Sequence, residues 1–302
     1  MAHREFGHHG EDDMIDVRNR SHETADIRQE GRRVFITLCR PEIHNAQNAA
    51  LMRDLLAITE GLRNRDDFDA VAIRSSGDHW CTGLDMKEHS ARGALDPTSA
   101  EQWDTMLANL RSLDQVVVGL IDGYCLGGGV QLAIACDIRV ASERAVFAIP
   151  ASREVGILGG MATWYLPRLL GIGRAKALLL GGAVLNAEQA ASWGLIDQVV
   201  PAGGLAAAWE QVVAPLNADS LASVAACKHV IETAHDVDYQ TAFDNYLRTQ
   251  DRLMALPAAA KMARTTLEYL AAGKRPYVEV GWFPFGNPEE STMAGVQQSS
   301  EQ

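Results

Sequence analysis

A chain of 302 residues, 47% of them apolar, has material for one large core or two smaller ones, and 22% charged residues is ordinary for a globular protein. A net charge of −12 disfavours nonspecific nucleic-acid binding, which needs a basic footprint, although a phosphate-bearing cofactor needs only local basic groups such as Arg40 and Lys87. No apolar run approaches the ~18 residues of a membrane span, and five cysteines without CxxC spacing suit a reduced, cytoplasmic protein better than a disulfide framework or a zinc site.

Residues 1–26 are polar and acidic, lack the apolar core of a signal peptide, and are expected to form a disordered tail; His3, His8 and His9 belong to that tail and not to a metal site. Val34, Ile36 and Leu38 alternate with Phe35, Thr37 and Cys39 as in a strand. A helix is expected over 46–63, with Leu51, Leu55, Ile58 and Leu62 on one face. A second strand is expected over 69–74, then a loop between Gly77 and Gly83, and a linker of small residues over 91–99. A helix near 100–113 precedes a β-branched run, Val116, Val117, Val118 and Ile121, which reads as a buried strand. Strand, strand and helix repeat in an α/β order. Past residue 162 the pattern is helical. Gly171 is a stop, Asn186 a cap, Gly194 a helix end before a short strand, and a last helical block spans 205–272. The expected organisation is a tail (1–26), an α/β core (27–200), a helical region (201–276) and a polar tail (277–302).

The segment from Ile121 to Leu132 carries the most chemistry. Gly127, Gly128 and Gly129 follow the buried strand and open a helix, so the backbone there can approach a ligand and turn its N–H groups outward. The helix end adds a positive dipole, and the whole suits a developing oxyanion such as a thioester enolate. A P-loop is excluded by the absence of G-x-x-x-x-G-K-[ST]. A dinucleotide site is excluded because the G-x-G-x-x-G spacing with a later acidic residue is missing.

Five ordered segments, from Arg40-Pro41-Glu42-Ile43-His44-Asn45-Ala46 through Trp80–Lys87, Asp122–Leu132 and Cys136–Ala141 to Phe147-Ala148-Ile149-Pro150, resemble the crotonase (enoyl-CoA hydratase/isomerase) superfamily. The resemblance runs from about Val34 to Pro201, and more weakly to Pro276. It implies a spiral of repeated strand–strand–helix units with a C-terminal helical region, and a homotrimer or dimer of trimers. It also implies an oxyanion hole made by the backbone N–H groups of Leu84 and Gly128.

The resemblance further implies two glutamates for proton transfer, and here the chain departs. Gln131 and Ala151 stand at those positions. Glutamine orients water but exchanges no proton near neutral pH, and alanine does neither; each lost group is worth roughly 10²–10⁴-fold. Ala151 sits in an I-P-A-x-R turn that resembles a subset of the superfamily, from which the chain departs again at Glu154-Val155-Gly156. Glu154 is the candidate replacement carboxylate. Asp85, beside the first donor, and Tyr124, before the glycines, are candidates for the pocket. Trp164 and Tyr165 are candidates to shape an acyl pocket, His89 is a candidate to approach the loop of residues 80–87, and Tyr239 and Tyr246 lie in the last helical block where some members place a pocket residue. Cys125 reads as a packed core residue, and His79 as a surface one.

By the same resemblance, Arg40, His44, Asn45, Ala46 and Lys87 flank the nucleotide and pantetheine channel. The substrate is then an acyl-CoA or an acyl-carrier-protein thioester; CoA enters only as part of the substrate, with no separate cofactor, no metal, no nucleic acid and no membrane. Two functions follow: an enzyme working through an enolate, of hydratase, isomerase, decarboxylase or hydrolase type, or a non-catalytic acyl-thioester binding protein.

Overall fold

The computed structural model describes residues 19–92, 97–155, 158–234 and 236–273. Residues 1–18 of the expected N-terminal tail, with His3, His8 and His9, and the expected tail over 277–302 lie outside the described residues, as do positions 93–96 of the expected linker.

The chain opens with β1 (Asn19–Ser21), β2 (Ala25–Glu30), β3 (Arg33–Leu38), α1 (Ala49–Leu62), β4 (Ala70–Ser75), α2 (Met86–Arg92) and α3 (Pro97–Ser112). It continues with β5 (Val116–Ile121), β6 (Tyr124–Leu126), α4 (Gly128–Ile134), β7 (Ile138–Ser142), β8 (Val146–Ala148), a π-helical turn (Ala151–Val155), α5 (Ala162–Leu170) and α6 (Ile172–Leu179). The last elements are β9 (Leu185–Asn186), α7 (Ala187–Trp193), β10 (Gln198–Val200), α8 (Leu205–Val213), α9 (Ala218–Ala234), α10 (Tyr239–Met254) and α11 (Pro257–Ala271).

Seven strands form one sheet in the order β1-β2-β3-β4-β5-β7-β10, antiparallel up to β3 and parallel from there on. A smaller sheet stacks β6-β8-β9. Each turn of the chain leaves one strand in the large sheet and one in the small sheet. The ladder Cys81, Cys125, Phe147, Leu185 therefore climbs through the interior in register, every rung buried. That is the spiral of strand–strand–helix units implied by the resemblance.

Patterning explains the layers. On β3, Val34, Ile36 and Leu38 face the main core beneath α1 and α3, and Phe35 faces the other way onto Trp209 of α8, ring centroids 5.4 Å apart. β5 is buried along its whole length because both of its faces are covered, which is why it reads as a continuous apolar run.

Several boundaries differ from expectation. The sheet starts at Asn19, within the stretch read as tail, because the three polar residues of β1 pair antiparallel with β2 and carry no hydrophobic signal. α1 starts at Ala49, not at residue 46. Asn45 has φ 54°, Gln47 pairs with Leu84 as an isolated bridge, and the Asn48 side chain caps the Leu51 N–H at 2.9 Å. The expected linker is mostly helix on either side of residues 93–96, with α2 reaching Arg92 and α3 starting at Pro97. At Asn186 the cap is a full capping box with Gln189, and Gly194 ends α7 at φ 83°.

The helices after β10 are held differently. α9, α10 and α11 have no buried residue. One anchor ties α9 to the sheet: Lys228 Nζ donates to Asp137 Oδ2 at 2.8 Å and to the Gln115 carbonyl at 3.1 Å, and Asp137 also accepts the Val117 N–H at 2.7 Å. Burial raises the Asp137 pKa above the ordinary carboxylate range despite Lys228 pulling it down. Lys228→Met should therefore cost about 1–3 kcal/mol at pH 7, since it leaves a carboxylate enclosed without its cation. A buried acid with a raised folded pKa destabilises only while ionised, so the deficit should shrink as pH falls through that pKa. Urea denaturation at pH 7 and pH 5 checks this, and an equal deficit at both would contradict it.

Candidate active site

The glycine cluster lies where the two sheets meet. Leu126 N–H donates to the Cys81 carbonyl at 2.9 Å and Cys81 N–H to the Tyr124 carbonyl at 3.0 Å, which zips residues 80–84 alongside β6. Trp80 Nε1 donates to the Gly129 carbonyl at 3.1 Å and fixes the first turn of α4. The backbones then touch. A Cβ at Gly83 would lie 2.8 Å from the Leu126 carbonyl oxygen and 3.1 Å from the Gly128 nitrogen; at Gly129 it would lie 2.2 Å from the Cys81 oxygen. Glycine is needed here for approach, and at Gly83 (φ 79°) and Gly127 (φ 53°) also for conformation.

This contact orients two donors. Gln47 N–H bonds the Gly83 carbonyl at 2.7 Å, and Asp85 N–H bonds the Gln47 carbonyl at 2.8 Å. In that parallel bridge the N–H of Leu84, the residue between, points away from Gln47. Gly128 begins α4, so its N–H has no intrahelical acceptor. Among the described residues neither N–H has an acceptor. Leu84 and Gly128 both line one cleft of about 310 Å³, together with Gln47, Met52, Trp103, Gln131, Ala151 and Glu154. Two unpaired, prepositioned N–H groups at an apolar cleft can stabilise a developing oxyanion.

Gln131 lies in this cleft and is held at both ends. Its Oε1 accepts from Trp103 Nε1 at 3.0 Å and its Nε2 donates to the Gly159 carbonyl at 3.0 Å. A donor on one side and an acceptor on the other fit an amide and not a carboxylate. Gln131→Glu would set an acid oxygen against the Gly159 carbonyl, so it should cost about 1–3 kcal/mol at neutral pH and should not confer hydratase activity by itself. The carboxyl pKa of that variant should be raised, so its stability should recover as pH falls. Thermal melts across pH 4–8 test this, and a pH-independent deficit would contradict it.

Ala151 is buried at the start of the π-helical turn and offers only a methyl group. Glu154, on the same turn, lines the cleft but is 61% exposed and 3.8 Å from Arg153. Sequence reasoning missed Asp104 on α3, next to Trp103. It lines the cleft, is half-buried, and has its carboxyl pKa raised by burial against the opposing Met161 N–H. No sequence signal marks it, because a charged residue on an amphipathic helix looks like a solvated one.

The other expected site residues lie elsewhere. Arg40 bonds Asp85 at 3.1 Å and also the Ala46 carbonyl. Asp85 caps α2 by accepting from Lys87 N–H at 3.2 Å and Glu88 N–H at 3.3 Å. Burial pushes Asp85 up, but these donors and Arg40 hold it below the ordinary carboxylate range. Asn45 is fully buried and bonds the Ser76 and His79 carbonyls at 3.0 and 2.8 Å, so it braces a loop. Ala46 is buried beside it, and Lys87 is exposed on α2.

Tyr124 and His44 do not line the cleft. Tyr124 stacks on His79 at 4.3 Å, and His79 meets the His44 ring edge-on at 4.5 Å. Trp164, expected to wall the acyl pocket, lies under Arg168 at 3.3 Å and lines a separate cavity of about 560 Å³ between α5, α9 and the sheet. Tyr165 shares that cavity, and Tyr239 is 83% exposed. Helix phase explains the difference at α5, where Ala162, Leu166 and Leu170 take the inward face. Cys125 is buried with its thiol pushed far up by desolvation, as is Cys81, to about 12. Among the described residues no His, Cys, Asp and Glu group could hold a metal, and no helix is long and apolar enough to cross a membrane.

A family model described as enoyl-CoA hydratase/isomerase matches residues 30–277. A Bacillus subtilis (strain 168) protein with an enoyl-CoA hydratase/isomerase designation is 32% identical over 76% of this chain and 92% of its own. The enoyl-CoA isomerase/hydratase of Mycosarcoma maydis is 30% identical over 74% of this chain and 88% of its own. The crystal structure of an enoyl-CoA hydratase from Mycobacterium smegmatis superposes with a TM-score of 0.75 over 84% of this chain and 98% of its own, at 24% identity, a likeness of fold.

Proposed function

This chain belongs to the enoyl-CoA hydratase/isomerase family, and we propose that it binds an acyl-CoA thioester in the cleft and stabilises its enolate between the Leu84 and Gly128 N–H groups. The observation that carries the reading is that pair of unpaired donors, held by the contact of Gly83 with residues 126–128. The donors are fixed before reaction, so no reorganisation is needed as charge develops; one such donor is worth about 3–4 kcal/mol.

The reaction is of the isomerase type, a proton taken from one carbon of the acyl chain and returned two carbons away. Hydration would need one group to activate water and a second to protonate the α-carbon. Gln131 is committed to Trp103 and Gly159, and Ala151 has nothing to offer. A 1,3-proton shift needs a single carboxylate, and Asp104 supplies it. Burial lifts its pKa toward the working pH, which suits a group that must both accept and give back a proton. Glu154, in solvent and beside Arg153, is the second cleft carboxylate. Decarboxylation, which makes the enolate by loss of CO₂, needs neither and is the alternative chemistry for the same hole.

The nucleotide end lies outside the cleft mouth near α2, where exposed Lys87 has its charge available for phosphate while Arg40 is engaged with Asp85. The assembly is a homotrimer or dimer of trimers. In support, α9–α11 have no fully buried residue yet expose Phe243, Leu247, Met254, Leu267 and Leu270. Five unpaired thiols suit the reducing cytoplasm.

The test is mass spectrometry of crotonyl-, 3-enoyl-, malonyl- and aromatic acyl-CoA thioesters incubated with the protein in D₂O. The 3-enoyl thioester should isomerise with deuterium gained in the acyl chain. Loss of CO₂ from the malonyl thioester alone would make the protein a decarboxylase. Tight binding with no chemistry on any member would make it an acyl-thioester binding protein.

A further inference from the structure

The cavity between α5, α9 and the sheet, at about 560 Å³, is roomier than the cleft and shares no lining residue with it. Its volume is that of a small-molecule site. Val116 and Ile138 of the sheet region, Leu169 of α5 and Ile231 of α9 give it apolar walls, and Arg111, Arg139, Arg168 and Lys228 bring cations to it. Two of these cations are neutralised inside the fold, Arg139 by Asp197 and Lys228 by Asp137, each pair at 2.8 Å.

Arg111 and Arg168 are not neutralised in this way. Among the described residues, neither guanidinium has a carboxylate within ion-pair distance. The half-buried Arg111 lies over the Tyr165 ring, its Cζ 3.4 Å from the centroid, and its Nη2 donates to the Ile134 carbonyl at 2.9 Å. Its Nη1 is not enclosed and bonds no described residue. Burial pulls the Arg111 pKa below its ordinary value, against the smaller upward pull of Tyr165 and Glu232. Arg168 is held in the same manner. Its Cζ is 3.3 Å from the Trp164 centroid and its Nη1 donates to the Trp164 carbonyl at 2.9 Å. Tyr165 and Arg168 are three positions apart on α5, so the guanidinium stacked on the first and that of the second share one helix face. Two stacked forks are thus fixed in place with N–H groups left over, and such forks match a carboxylate. The acids that also line the cavity, Glu232 and Asp236, stand at exposed positions, where water screens them.

We propose that this cavity is a second binding site, for a small amphipathic carboxylate such as a medium-chain or aromatic acid. The carboxylate is held by Arg111 and Arg168, and the apolar body lies against Val116, Ile138, Leu169 and Ile231. A neutral apolar molecule would leave both guanidinium groups unmatched, and a small inorganic anion would leave the apolar walls uncovered. The inference does not rest on the acyl-thioester reading, because none of these residues belongs to the cleft.

Cys227 reports on the site. It lines the cavity and is exposed, whereas Cys39 is half-buried and Cys81, Cys125 and Cys136 are buried. The experiment follows alkylation of each cysteine of the full-length protein by iodoacetamide, resolved by peptide mass spectrometry, with decanoate or its uncharged analogue decanamide present. Decanoate should slow alkylation of Cys227 and leave Cys39 unaffected. Arg111→Met and Arg168→Met should each raise the decanoate concentration for half-protection by about 10-fold, as loss of a hydrogen bond to a charged group would. Decanamide should need a similarly higher concentration in the wild type, and excess crotonyl-CoA should not remove the protection. Absence of protection in the wild type would overturn the proposal, whether the cavity takes no acid or a second copy of the chain covers it. Equal protection by decanamide would also overturn it, as would unchanged half-protection in folded Arg168→Met, an exposed position chosen because its loss should spare the fold. Loss of protection on adding crotonyl-CoA would place decanoate in the cleft and overturn the separate site.

Discussion

Asp104→Asn is expected to slow turnover by roughly 10²–10⁴-fold with little change in acyl-CoA affinity. The substitution keeps the shape and the hydrogen-bonding oxygen and removes only the exchangeable proton. Burial favours the neutral acid, so the Asp104 pKa stands above its ordinary 3.8. The base must be ionised to start the reaction. The wild-type rate should therefore rise with pH through a value above the usual aspartate range and then level off, and the Asn variant should lack that limb. Glu154→Gln is the control, because its carboxylate stands mostly in solvent. If Glu154→Gln causes the large loss and Asp104→Asn does not, the proton-transfer role moves to the π-helical turn. If neither does, the enolate is formed without a base, as decarboxylation would form it.

Gly129→Ala should destabilise the fold by at least about 4 kcal/mol, enough to leave little soluble protein. The new methyl carbon would sit 2.2 Å from the Cys81 carbonyl oxygen and 3.0 Å from its carbon. Those atoms are backbone and cannot step aside as a side chain tip would. The same oxygen accepts the Leu126 N–H at 2.9 Å, and the Gly129 carbonyl accepts Trp80 Nε1 at 3.1 Å. Any shift that admits the methyl therefore breaks the contacts that align residues 80–84 with the start of α4. Gly173→Ala on α6 is the matched control: a Cβ there meets nothing within 4 Å, and the change should be neutral or stabilise by about 0.4–1 kcal/mol. Soluble yield and urea midpoints distinguish the two. A Gly129→Ala protein with wild-type stability would mean that the two backbones are not in contact.

Much of the fold was readable because it is written in local pattern. The alternation of Val34, Ile36 and Leu38, the closed run at Val116–Ile121, the cap at Asn186 and the stop at Gly194 all act through neighbours in sequence. The short strands β6, β8 and β9 were not readable. Two or three residues carry no period, and they are strands only because the spiral stacks Cys81, Cys125, Phe147 and Leu185 upon one another.

The sequence by itself determined that this is an α/β protein with a glycine-rich turn between a buried strand and a helix, a matter of residue identity and short spacing; that Gln131 and Ala151 stand where acids would be expected is implied by the resemblance to the family. Only the tertiary structure decided what surrounds those positions. Gln131 proved to be clasped by Trp103 and Gly159, 28 residues away on either side. Asp104 proved to face the cleft, and Trp164 proved to face away from it. Gln47 proved to lie against Gly128, 81 positions on. Such contacts depend on how helices rotate about their axes and on which turns of the spiral meet. Those are set by the packing of the whole core, and no local stretch of sequence carries that information.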